Sequence, residues 1–460
     1  MRSFFEDKPN QHLYWVVIHV LMGGVMVFFP KILTFWYFFV FGVTFFQVFK
    51  KMDSRYIYLL LAYGVGFEII GRISGLSPYI PWELNKYLVP LIVVFALIFE
   101  KGKQSHMLPG VLLILLCIPG WILGYPEFDR LSFSMLGIIN LAFMVTLFFN
   151  RVVPLNMLFG IFRAFILPFI TVLIHITLET PSFSEMEFHL GANFDTTGGF
   201  GSNQISTVLG AGAFVMAIAV MVRKKLFGNY LVDLALLGYF FFRGLLSFSR
   251  GGILVALISF AIFFYFIRKA KGLFRYGLRM RRVGVKQVVL LLAGLVVVFF
   301  VANEITNGVL MDRYKGETGG TLRGEREKTL NTLTTGRWDI MVSDLEMWSD
   351  YFFWGVGGGY SSSLRVNYGV NEIVAHTEFS RLLAEQGVWG LTIILFLIVY
   401  LPYTLLVDRN EVEKAFLFAF LALAIFTTFH AGMRTFITPF FVGLCLIRIP
   451  IPSPKKRVRA

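Results

Sequence analysis

Charge is scarce in this chain, cysteine scarcer, and long polar stretches all but missing. Only 15% of the 460 residues are Asp, Glu, Lys or Arg, against 57% hydrophobic and 17% aromatic. No soluble domain of this length needs so apolar a surface, so a water-soluble enzyme or binding module is excluded. The two cysteines, Cys117 and Cys445, lie in apolar runs with neither a nearby partner nor metal-ligand spacing, which argues against disulfide and zinc frameworks. His-Glu-x-x-His and Gly-x-Ser-x-Gly are missing. His376-Thr-Glu378 lacks the Pro-Cys-x-x-Cys of zinc deaminases, and Gly355-Val-Gly-Gly-Gly359 is not followed by the Gly-Lys-Ser/Thr of a phosphate-binding loop. No cluster argues for a metal, and nothing calls for a cofactor. The polar N-terminus has no small-residue cleavage site, so the first apolar run is expected to be retained. The net charge of +14 does not point to nucleic acid, because the basic residues sit in loops between apolar runs.

What is abundant is hydrophobic length. Windowed hydrophobicity gives about 14 spans, near 13–29, 32–49, 56–72, 84–99, 107–124, 132–149, 157–178, 203–222, 229–248, 251–267, 287–302, 388–405, 414–431 and 434–449. The expected fold is therefore an all-α polytopic membrane protein. With the N-terminus inside, the inner segments carry 26 Lys and Arg and the short outer loops three, Lys31, Arg72 and Arg130. That bias puts both termini in the cytoplasm. The chain divides into spans 1–11 (1–302), one long extracytoplasmic loop (303–387), and spans 12–14 with a basic tail (388–460).

The long loop holds two readable helices. Trp338, Met341, Leu345, Trp348 and Phe352 recur at three- and four-residue intervals, a face that packs on the membrane domain or dips into the interface, with Thr334 or Thr335 as a cap. A second helix runs near Ala375 to Gln386 and stops at Gly387, with His376 in its first turn.

Ionisable groups in or at the ends of spans are costly and often functional. Here they include Glu68 and Arg72 as a self-neutralising pair, Arg163, His175, Asp233, Arg243, Arg250, His430 and Arg434. Arg243 and Arg250, seven residues apart, read as two guanidiniums on one helical face, suited to an anion at the outer surface. Asn203 and Gln204 open a span at its outer end. His376 is the best acid–base candidate, kept neutral by the positive end of its helix. Glu378 follows it in a ladder with Arg381 and Glu385, which surface ion pairing explains adequately.

The order of these motifs resembles the O-antigen ligase and polymerase superfamily. The resemblance rests on Ser249-Arg-Gly-Gly252, a basic inner loop, Thr335-Gly-Arg337-Trp, Trp354-Gly-Val-Gly-Gly-Gly359 and Ala375-His376-Thr-Glu-Phe before Gly387, and covers about 200 to 431. It implies a metal-independent, inverting glycosyltransferase in a bacterial inner membrane, with its site facing the periplasm. The donor it implies is a glycan on undecaprenyl diphosphate. The acceptor is lipid A core in ligases and another repeat unit in polymerases; transfer to protein is a sibling possibility. By the same resemblance Arg250 and Arg337 are diphosphate-binding arginines and His376 deprotonates or positions the acceptor hydroxyl. Arg243, Asn203, Gln204, Glu378 and Arg434 are candidate substrate-binding residues. The rival class is a transporter or flippase, for which an internal repeat is expected; no convincing repeat is present.

Overall fold

The computed structural model describes residues 11–51, 55–75, 83–99, 107–191, 193–276, 278 and 285–451. Among these the fold is all helical, with one isolated bridge between Val152 and Arg448. Apolar sequence of this kind satisfies its backbone internally, which in lipid leaves the helix as the open choice for a single segment. The first eleven long helices are α1 (Gln11–Phe28), α2 (Ile32–Lys51), α3 (Arg55–Ser74), α4 (Leu84–Phe99), α5 (Leu108–Ile122), α6 (Phe128–Phe148), α7 (Leu155–Glu179), α8 (Ser202–Met221), α9 (Tyr230–Leu246), α10 (Arg250–Lys269) and α11 (Val285–Ile305). Then come α12 (Arg337–Asp350), α13 (Glu378–Leu395), α14 (Glu411–Thr427) and α15 (Ile437–Cys445). Helix α13 continues through a π turn, Phe396–Tyr400, into Leu401–Asp408.

Helices α7 and α8 are the centre of the bundle. Helix α7 packs on α1 and α3, α8 on α9 and α10, and α10 in turn on α14. Phe165 stacks on Phe440 at 5.9 Å, while Phe214, Phe420 and Phe441 close the same aromatic core edge-on or tilted. Such contacts replace hydrophobic burial as the glue between helices in lipid.

Each of the fourteen apolar segments carries a helix, but among the described residues eight helices are long and apolar enough to cross a membrane, and the count of fourteen goes beyond that. The last segment is the clearest departure. Helix α15 has nine residues, about 13 Å of rise, against a hydrocarbon core of about 30 Å. At its start the N-cap residue Phe436 donates its N–H to Glu68, buried in α3, at 2.7 Å. It finishes in extended chain, where Arg448 donates to Arg151 O and Val153 to Arg448 O.

One other expectation is corrected. Arg243 and Arg250 are not on one helix: the chain breaks at Ser247–Ser249, with Phe248 at φ 55°. The second loop helix does stop at Gly387, whose φ 57°, ψ −133° is non-helical; the chain turns there straight into the apolar run, so α13 is two helical segments joined at a kink. Glu68 and Arg72 do pair, at 2.9 Å, within a buried cluster that adds Glu83 and Lys86.

Candidate functional site

The Ser249-Arg-Gly-Gly turn is where three helices meet. Ser206 of α8 donates its hydroxyl to Ser249 O at 2.6 Å and accepts the Gly252 N–H at 3.2 Å. A Cβ on Gly252 would lie 2.0 Å from Ser206 O, and one on Gly251 2.4 Å from the His430 ring. Only glycine lets α10 begin in this position, and that position fixes Arg250. Its guanidinium donates to Arg313 O (3.1 Å) and Leu333 O (2.7 Å), while Arg313 donates back to Phe248 O (3.2 Å). Arg250 thus holds the backbone of Arg313, and Arg313 holds the backbone two residues before Arg250.

The third guanidinium comes from the start of α12. Thr335 and Gly336 both have positive φ, 55° and 84°, a costly backbone for a β-branched residue. The helix is capped by Thr334, whose hydroxyl accepts the Trp338 N–H at 3.1 Å. Arg337 then reaches Asn203 Oδ1 at 3.4 Å, an oxygen that also accepts from the Ser249 hydroxyl at 2.8 Å.

Asn203, Ser249, Arg313, Thr335, Arg337 and His376 line one cavity of about 310 Å³, and no carboxylate is among its described lining residues. The electrostatics are accordingly one-sided. Burial, then the charges of Arg250 and Arg337, pushes the Arg313 guanidinium down to about 10. Burial and Arg250 also lower Arg337. Cations that disfavour one another in a half-buried cavity favour an anion between them.

His376 is not in the first turn of a helix. It lies two residues before α13, with Thr377 at the N-cap. The strand of chain it belongs to separates two cavities. His376 faces the basic one, whereas Ala375 and Glu378 line a second cavity of about 1030 Å³. The second is rich in carboxylates: Glu83, Asp129, Glu372, Glu378 and Glu385, with Arg130 and Arg381. On its floor Arg381 pairs with Glu378 and, at 2.6 Å, with Glu385; Glu378 also accepts the Met433 N–H at 3.0 Å. Below the floor the buried pair Asp344–Arg365 ties α12 to this region, since Ser380 donates to Asp344 at 2.7 Å. Burial raises the Asp344 carboxyl, with Arg365 opposing.

The glycine run Gly355–Gly359 serves this architecture, and Gly359 also lines the larger cavity. The Val356 and Gly357 N–H groups bond Ala384 O and Glu385 O at the α13 kink, and Gly358 N–H bonds Gly120 O of α5. Gly357 has φ 93°, and a Cβ there would sit 2.0 Å from Leu123 O.

Of the residues singled out in the sequence, Arg337, His376 and Asn203 line the basic cavity; Arg250 is not among its lining residues but bonds the backbone of Arg313, which is. Arg243 does not join them: it donates to Ile176 O, Thr180 Oγ1 and Thr196 O, tying the C-terminal end of α7 to the 195–197 turn. Gln204 is not among the lining of the basic cavity, and Glu378 belongs to the acidic one. Arg434 ends a 3-10 turn, Gly432–Arg434, and its side chain lies outside the described residues. Arg313, Ser249 and Thr335 were not candidate site residues, although Ser249 and Thr335 stand in the motifs of the resemblance. Arg313 had one available signal, a basic residue in an outer segment where the basic-inside bias leaves it unexplained.

Residues 234–395 match the family model described as O-Antigen ligase. The match spans about a third of the chain and includes Arg250, Arg313, Arg337 and His376 but not Asn203. It supports the O-antigen ligase and polymerase superfamily as the class of this chain. Members of the family are glycosyltransferase-like enzymes, and the family implies lipid-linked glycans and membrane lipids as partners. No curated protein and no solved structure matches the chain.

Proposed function

We propose that this protein is a ligase-type glycosyltransferase that moves a glycan from undecaprenyl diphosphate to an acceptor hydroxyl at the outer face of the bacterial inner membrane, with both termini cytoplasmic. The observation that carries this reading is the carboxylate-free cavity in which Arg313, Arg337 and His376 converge, with Arg250 clasped to Arg313. The diphosphate sits among the guanidiniums, whose planar forks match its oxygens. As the bond from sugar C1 to phosphate oxygen breaks, negative charge grows on the leaving diphosphate. Fixed donors in a water-poor site stabilise that charge, by about 3–4 kcal/mol per donor. His376 takes the acceptor hydroxyl proton as its oxygen bonds C1 from the opposite face, which inverts the anomeric centre and releases the lipid diphosphate. The sugar arrives activated, so neither nucleotide nor metal is required.

The bulk of the acceptor lies in the larger cavity across the 375–378 segment, and its reacting hydroxyl reaches past that segment to His376 in the smaller one. Lipid A core as acceptor makes the protein a ligase. The carboxylates around this cavity favour the second reading, a repeat-unit polymerase whose acceptor is an uncharged or amino-sugar glycan, because a phosphorylated core would meet like charge there.

Reconstitution with an undecaprenyl-diphosphate glycan and both kinds of acceptor tests this. One discrete addition to lipid A core is the ligase result, and a ladder on the carrier lipid is the polymerase result. Movement of the lipid across the bilayer with no new glycosidic bond would overturn the enzyme reading in favour of a flippase.

A further inference from the structure

Helix α12 presents three different faces. Ile340, Ser343, Asp344 and Met347 are buried against the protein. Asp339, Glu346 and Asp350 are exposed and polar. The third face is apolar and also exposed: Trp338 and Leu345 are each 40% accessible, and Phe352, two residues past the end of the helix but stacked on Trp348 of α12 at 5.3 Å, 52%. A helix in water has no use for a bare apolar face beside a satisfied polar one; a helix lying in a membrane interface needs both.

The ends of α12 fix its depth. At its N-terminus Arg337 reaches Asn203, the second residue of the apolar helix α8. Beyond its C-terminus Trp354 stacks on Trp389 at 5.7 Å, and Phe353 meets the same ring edge-on at 6.0 Å. Trp389 is the second residue after the Gly387 kink, where the apolar run of α13 begins. Both ends therefore lie level with the outer ends of long apolar helices, where Trp and Tyr belts form. Fourteen residues, about 21 Å, run between them.

We infer that α12 lies flat in the outer leaflet interface with Trp338, Leu345 and Phe352 seated among acyl chains, so that bilayer lipid is the partner of this face. The seat holds Arg337, the first residue of α12, at headgroup depth. It needs no assumption about the reaction.

The test uses nitroxide labels on the full-length protein in lipid nanodiscs. Leu345→Cys and Glu346→Cys place neighbouring labels about 100° apart on the helix. Cys117 and Cys445 are buried and do not compete for the reagent. Collision rates with oxygen, which concentrates in lipid, and with a water-soluble nickel chelate are compared at the two sites. The Leu345→Cys label is expected to meet oxygen far more than nickel, and the Glu346→Cys label the reverse. A Trp338→Cys label, two turns away, should repeat the Leu345→Cys pattern and keeps the test standing if one variant folds poorly. Equal nickel access at positions 345 and 346 would overturn the inference by putting the apolar face in water. Protection of position 345 from both reagents would overturn it by showing a protein partner there, such as a second copy of the chain.

Discussion

The two cavities on either side of the 375–378 strand differ in size, in charge and in how their charges are answered. The smaller is lined by Arg337 from the start of α12 and Arg313 from the short helix 309–314, with Arg250 at the start of α10 bonded to the Arg313 carbonyl, and no carboxylate is among its described lining. Its guanidiniums are held by carbonyl oxygens and Asn203, which orient them without neutralising them. The larger holds its one deep arginine, Arg381, between Glu378 and Glu385. Carbonyls pre-orient a cation and leave its charge available; carboxylates consume it. The first arrangement is built to receive an anion, and the second to receive hydroxyls, which carboxylates accept well.

If that division is right, damage to the strand between the cavities should be the most severe. His376→Ala is expected to lower turnover by roughly 10²–10⁴-fold while leaving donor binding near that of the wild type, because a base acts on the acceptor. Turnover, donor affinity and melting temperature measured together decide it. An inactive variant that also melts early or loses the donor would move His376 from chemistry to structure.

Arginine substitutions at the smaller cavity come next. Arg250→Ala and Arg337→Ala should each cost on the order of 10²–10³-fold in turnover, and Arg313→Ala should join them although it did not stand out in the sequence. Arg337→Lys separates charge from shape: it keeps the cation but loses the fork that spans Asn203 and an anion, so a substantial loss is expected even where folding is intact. Arg243→Lys is the control outside the cavity. Its effect should appear as lost thermal stability, since Arg243 bonds backbone carbonyls and the Thr180 hydroxyl. A folded Arg337→Lys variant with wild-type turnover would break the comparison at its stronger side.

This pairing of Arg337 with Arg243 also marks how far the sequence could be read. Helical apolar segments are local features, and each one identified by hydropathy carries a helix. Arg250, Arg337 and His376 stood out because each sits in a short motif with its own glycines or aromatic neighbour. Arg243 looked equivalent to Arg250 at two-turn spacing, and only the positive φ of Phe248 separates their helices. The short α15 starts at a bond to Glu68, far away in sequence, which no window of residues reveals. The acidic cavity was invisible for the same reason: Glu83, Asp129, Glu372 and Glu385 come from four separated segments.

Smaller effects are expected from the rim of the larger cavity. Asp129 and Glu372 are exposed there, and Glu372 is paired with Arg130 at 3.1 Å. Exposed charges act weakly, about 1 kcal/mol or less, so Asp129→Lys should change the acceptor KM by no more than roughly fivefold. The sign is the informative part. Anionic acceptors should improve, neutral ones should barely change, and the donor KM should stay fixed. A change in donor KM instead would mean that the two cavities had been assigned to the wrong substrates.

The smallest expected effect is none at all, and it guards against another meaning of those carboxylates. Acidic groups converging on a cavity also describe a divalent-cation site, and a cation there would make the larger cavity, not the smaller, the place where diphosphate charge is met. The local geometry argues otherwise. The guanidinium of Arg381 already fills the space between Glu378 and Glu385; the other oxygen of Glu378 accepts from Met433 N–H and that of Glu385 from the Ser361 hydroxyl, while Ser134 donates to the Glu385 oxygen that Arg381 holds. A metal would have to displace a buried cation and break those hydrogen bonds to bind. Turnover in the reconstituted assay should therefore be unchanged in excess EDTA and unchanged again when magnesium or manganese is added back. Loss on chelation with rescue by either ion would transfer the electrostatic work from the arginines to the carboxylates and reverse the roles of the two cavities.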